Sequence, residues 1–125
     1  YLRVSDLIKN NQIPKVNASD SIAEVIVEIS EKRLGVTAVL KNEKIVGIIT
    51  DGDLRRMLSK TTDIKHFTAK DIMGKNPKTI QENAMAIEAL DKLESNNITQ
   101  ILVVDAQEKY IGIVHLHDLI KEGIF

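Results

Sequence analysis

Ile22, Val25, Ile26 and Ile29 stand at i, i+3, i+4 and i+7, the spacing that gathers four apolar side chains on one face of a helix. Ser21 and Glu24 add a capping box at its start, hydroxyl and carboxylate satisfying amides that the first turn leaves unpaired. The period then changes. Val36 to Leu40 is a β-branched run, Asn42-Glu43 a short polar turn, and Ile45 to Thr50 a second run, which together predict a hairpin. Asp51 to Ser59 returns to helical spacing, with Leu54, Met57 and Leu58 on one face and Arg55 and Arg56 largely off it. Pro14 precedes a short extended stretch ahead of the first helix. The order is strand, helix, strand, strand, helix.

The same order then recurs. Gly47-Ile48-Ile49-Thr50-Asp51-Gly52-Asp53-Leu54 comes back 65 residues later as Gly112-Ile113-Val114-His115-Leu116-His117-Asp118-Leu119. Val4 to Ile8 matches Ala69 to Met73 at that offset, and Glu24 to Ile26 matches Glu88 to Leu90 at 64. The second copy predicts a helix over Ala84 to Asn96, strands over Ile101 to Val104 and Tyr110 to Val114, and a closing helix from His115 to Lys121. Pro77 stands where Pro14 does in the first copy, and the aperiodic polar stretch between the copies is expected to link them. The boundaries expected are residues 1–60, a linker over 61–67, and 68–125. Two copies are too few for a solenoid, so a single globule of α+β or α/β class with pseudo-twofold symmetry is expected, its cleft being the place to look for function.

Composition narrows the choice. At 125 residues there is room for one compact domain, and 43% apolar residues without tryptophan suit an aliphatic core. Seventeen basic against eighteen acidic residues give a net charge of −1, without the basic excess of a nucleic-acid binder. There is no cysteine, hence neither disulfide nor thiolate chemistry, and no apolar run nears the ~20 residues of a membrane span. A cytoplasmic location is expected, and a chain opening at Tyr1 reads as a piece of a longer one.

Candidate chemistry gathers where the second strand of each copy meets its last helix. Thr50 and Asp53 suit a helix cap, the hydroxyl accepting a first-turn amide and the carboxylate complementing the helix dipole. The same geometry suits a ligand, since a helix N-terminus receives phosphate and a carboxylate one turn on can accept a ribose diol. Both roles can hold together. Arg55 and Arg56 follow, and one of them is expected to pair with a ligand anion or another subunit. His115, His117 and Asp118 occupy the equivalent place in the second copy. A metal there lacks a third and fourth ligand, so His115 is expected as a hydrogen-bonding or pH-sensitive contact. Thr37 is a further candidate contact, although a strand favours β-branched residues anyway, and Tyr110 and the three methionines suit packing. No nucleophile with a matched base is apparent.

These residues resemble the tandem cystathionine-β-synthase (CBS) domain pair, also called a Bateman module, over essentially the whole chain. The mark is a glycine, two apolar residues, Thr or Ser, two more residues, then Asp and an apolar residue. Gly47, Thr50, Asp53 and Leu54 fit it, whereas the second copy departs at His115 and keeps Gly112, Asp118 and Leu119. Within that family, Thr50 to Arg56, His115 to Leu119, Leu34 to Thr37 and Ile98 to Gln100 resemble the C-terminal regulatory half of bacterial arabinose-5-phosphate isomerases. The resemblance implies ligand contacts by Thr50, Asp53 and Asp118. It implies no catalysis in this piece, which would need the N-terminal isomerase domain that interconverts ribulose 5-phosphate and arabinose 5-phosphate for Kdo synthesis. It implies CMP-Kdo as feedback ligand, with AMP or ATP as the alternative, no required cofactor, a homodimer of CBS pairs and a tetramer in the full-length protein. A ligand-free assembly module is the rival expectation.

Overall fold

The structure is a computed structural model and describes residues 1–124. In chain order its elements are α1 (Val4–Leu7), β1 (Lys15–Asn17), α2 (Ile22–Lys32), β2 (Val36–Lys41), β3 (Lys44–Thr50), α3 (Asp51–Lys60), α4 (Ala69–Ile72), β4 (Gly74–Lys75), β5 (Thr79–Gln81), α5 (Ala86–Ser95), β6 (Gln100–Val104), β7 (Tyr110–His115) and α6 (Leu116–Lys121). A 3-10 turn, Ile64–His66, lies between α3 and α4. They form two compact units, one of Pro14–Pro77 and one of Tyr1–Ile13 with Lys78–Phe125. The units do not follow the sequence repeats: each takes its short leading helix from the other copy.

In the unit Pro14–Pro77 the sheet order is β1-β2-β3-β4, with β1 parallel to β2 and the other pairs antiparallel. Val16, Ile22, Val25, Ile29, Val39, Ile49, Leu54, Met57 and Ala69 make its core. The α2 stripe is buried as its spacing requires, apart from the flanking Ile26, which is half-buried. Leu58, expected on the inner face of α3, is 47% exposed, because Leu54 and Met57 define the buried side of the helix. Ser21 Oγ accepts the Glu24 amide at 3.2 Å, but Glu24 takes the Ser21 hydroxyl in return, so the expected box is only half made. The stretch expected as a bare linker packs Ile64 and Phe67 against this core.

The second unit pairs β5 parallel to β6 and β6 antiparallel to β7. Leu90, Leu93, Ile101, Val103, Val114 and Leu119 are central to its core, joined by Val4 and Leu7 of α1. Helix α5 starts two residues later than its periodicity suggests, since Met85 is extended and bridged to Arg3. Both units dock the leading helix alike. The amides of Ala69 and Lys70 donate to the carbonyls of Asp20 and Ala18, and those of Val4 and Ser5 to Ala84 and Glu82, all at 2.8–2.9 Å.

Close packing follows the docked segment. A Cβ on Gly47 would overlap the Met73 side chain and stand 2.9 Å from the Gly74 carbonyl oxygen. On the equivalent Gly112 it would meet only the tip of Ile8, at 3.1 Å. Gly47→Ala is therefore expected to cost about 1–3 kcal/mol in urea unfolding, and Gly112→Ala less, because a side-chain tip yields more easily than backbone.

Candidate functional site

Strand β3 runs into α3 without an intervening loop residue, so the first amides of that helix find partners outside it: Asp51 donates to the Gly35 carbonyl at 3.1 Å, and the Asp53 amide turns to a side chain. Thr50 is the N-cap. Its Oγ1 accepts the Asp53 amide at 3.2 Å, while Asp53 Oδ2 accepts the Thr50 amide at 2.8 Å and the Thr50 hydroxyl at 3.1 Å. Arg56 Nη2 donates to Asp53 Oδ1 from one turn along. The arrangement distinguishes the two arginines: Arg56 joins the carboxylate, whereas Arg55 is exposed and makes no ion pair among the described residues. Arg56 is itself 70% exposed against 20% for Asp53, so the guanidinium can swing away at little cost while the carboxylate stays put. Gly52 lies between them. A Cβ there would stand 3.3 Å from Arg56 Nη1 and 3.5 Å from Thr50 Oγ1, so glycine leaves room for the guanidinium beside the cap.

The second unit solves the same junction differently. His115 caps α6, its Nδ1 accepting the His117 amide at 3.0 Å, and Asp118 Oδ2 accepts the His115 amide at 2.8 Å. Where the first unit has bare Gly52, His117 stacks its ring on His115, centroids 4.7 Å apart and planes within 3°. Asp118 Oδ2 also accepts from Asn11 Nδ2 at 2.9 Å, and that amide reaches the Ile113 carbonyl at 3.1 Å. Asn11 was not singled out by sequence; its only signal was a polar residue three positions after the repeated segment Val4 to Ile8. Thr37, the further candidate contact, is fully buried, with its hydroxyl donated to the Ala38 carbonyl at 3.1 Å. Tyr110 is buried in β7. Among the described residues, no group of three or more His, Cys, Asp or Glu could hold a metal, and no helix is long and apolar enough to cross a membrane.

A model of the CBS domain matches residues 4–60 and again 69–124. The chain belongs to the CBS domain family. Among relatives of this CBS pair, arabinose 5-phosphate isomerase KdsD of Francisella tularensis is 45% identical over 121 residues, which are 96% of this chain and 37% of that protein. KdsD of Pseudomonas aeruginosa is 36% identical over 125 residues, 98% of this chain and 38% of its own length. The CBS pair thus spans little more than a third of these relatives. A CBS domain protein from Pyrobaculum aerophilum complexed with AMP superposes with a TM-score of 0.84 at 22% identity, covering 94% of this chain and 90% of its own. CBSX2 in complex with AMP gives 0.77 at 22%, covering 99% and 97%. At those identities the likeness establishes the fold.

Two outcomes follow from the caps. Thr50→Ala removes an N-cap acceptor and should cost about 1 kcal/mol in denaturant unfolding. His115 is held below its ordinary 6.5, chiefly by burial and then by the charge of His117, with Asp118 pulling the other way. The unfolded chain therefore takes up this proton first. Stability from His115 is complete above about 6.5 and is lost as pH falls through the depressed folded value. A thermal midpoint that declines on acidification from about pH 7.5 to about 5.5, with a flatter decline in His115→Thr, is the expected result.

Proposed function

We propose that this CBS pair is the ligand-sensing regulatory region of an arabinose-5-phosphate isomerase, lying C-terminal to the catalytic domain of the longer protein. The observation that carries the reading is the Thr50–Asp53–Arg56 junction on a chain 45% identical to one such isomerase over 121 residues. Asp53 would accept ribose hydroxyls, the first turn beside Gly52 and Thr50 would take phosphate, and Arg56 would leave Asp53 for a ligand anion. The favoured ligand is CMP-Kdo, which offers ribose, phosphate and a sugar carboxylate together. AMP or ATP is the second reading, supported by AMP in the names of two proteins sharing the fold. His115, His117 and Asp118 form a second, unequal site, with its cap roofed by imidazoles and its carboxylate engaged by Asn11.

Such a module controls an enzyme only as far as its ligand prefers one arrangement of that enzyme over another. Assembly as a homodimer of CBS pairs within a cytoplasmic tetramer completes the proposal. Isothermal titration with CMP-Kdo, AMP, ATP and CMP tests it. Saturable binding selective for CMP-Kdo, lost in Asp53→Ala and Arg56→Ala but retained in Arg55→Ala, is expected. Preference for adenine nucleotides would replace the ligand, and silence from all four would leave an assembly module.

A further inference from the structure

The unit Pro14–Pro77 holds a groove of about 680 Å³ at the end of its sheet away from the α3 cap. Val46, at the groove, is separated from Thr50 by roughly 13 Å of strand. Ala18, Leu40, Val46 and Met73 supply apolar lining, while Asn17, Ser19, Asn42 and Thr68 bring amide and hydroxyl groups. Lys41 and Lys70 also line it, and no Asp or Glu does. Lys41 faces Lys44 across the tight β2–β3 turn, a like-charged cross-strand pair that costs stability unless something neutralises it. Neither lysine, nor Lys70, forms an ion pair among the described residues, and Glu43 in the turn pairs with none of them.

The other unit shows that the fold does not require this. Its backbone bonds place Ser5 where Lys70 stands and Glu82 where Ala18 stands, and the residue after β6 is Asp105 rather than a lysine. Asp105 Oδ1 is taken by the amides of Gln107 and Lys109, and Gln81 Nε2 donates to Glu108 at 3.0 Å. Of the cations there, Arg3 donates to the Asn83 carbonyl, and Lys109 closes the turn opposite Asp105 as Lys44 does opposite Lys41. At the positions of Lys41 and Lys70 the second copy thus has Asp105 and Ser5, and in the first copy those two lysines form no ion pair among the described residues.

We propose that this groove is a separate ligand site for a small organic phosphate, held by Lys41 and Lys70 over an apolar floor. Lysine ammonium groups serve as point-charge partners for phosphate, and the absence of an arginine fork argues against a carboxylate as the preferred anion. The volume lies within the range of small-molecule sites. Because the groove shares no residue with the α3 cap, the proposal stands or falls apart from the regulatory reading.

Amide spectra of the ¹⁵N-labelled chain, titrated with ribose 5-phosphate, inorganic phosphate and citrate at millimolar concentration, test it. Saturable shifts confined to residues 17–19, 41–46 and 68–73 are expected with ribose 5-phosphate, more weakly with inorganic phosphate and least with citrate. Lys41→Gln and Lys70→Gln should each weaken ribose 5-phosphate about tenfold, and Asp53→Ala should leave it unchanged. Shifts confined to residues 50–56 and lost in Asp53→Ala, shifts surviving both lysine substitutions, preference for citrate, or no saturable shift would each overturn the proposal.

Discussion

Where a strand becomes a helix without a loop residue, the first helical amide still reaches a neighbouring backbone carbonyl, Asp51 to Gly35 at 3.1 Å, but the Asp53 amide has to turn to a side chain. The Thr50–Asp53 exchange meets that need. It fixes where β3 ends and how α3 leaves it, and so which face of α3 brings Leu54 and Met57 onto the core. The same exchange holds a part-buried carboxylate, a hydroxyl and the start of a helix within one turn. Structural necessity and ligand chemistry share these atoms, so the cap alone is weak evidence for binding. The proposed ligand role rests further on the exposed Arg56 on Asp53 and on Gly52 beside them, neither of which a cap requires.

The duplicated unit provides an internal control. Where one copy has Thr50, Gly52 and an exposed arginine, the other has His115, a stacked His117 and Lys121. Both cap their helices, and both dock a short leading helix through the same pair of backbone bonds. The shared features are those the fold demands, while the differences fall on groups that would meet a ligand. At the far end of the sheet the contrast is at two positions, Lys41 and Lys70 in one copy against Asp105 and Ser5 in the other.

Local spacing made much of this legible. The i, i+3, i+4, i+7 stripe of α2, the β-branched hairpin and the repeated Thr/His-x-x-Asp junction all sit where their chemistry puts them. What escaped was long-range. Nothing in Val4 to Leu7 says that it packs with residues beyond 78, because a short amphipathic turn fits any apolar groove of the right shape. Asn11 reaches Asp118 over 107 positions, a pairing that no local period encodes. The sequence did not show that the Thr37 hydroxyl finds a carbonyl inside the core. Leu58 was misplaced for another reason: helical spacing allows several faces, and packing chooses one.

The central claim is that Asp53 exchanges Arg56 for a ribose. A crystal structure of the chain with CMP-Kdo would show it directly. The account predicts ribose hydroxyls on Asp53 Oδ1, phosphate beside Gly52 and Thr50, and Arg56 turned onto a ligand anion. Nucleotide bound elsewhere, with the Arg56–Asp53 pair intact, would contradict it.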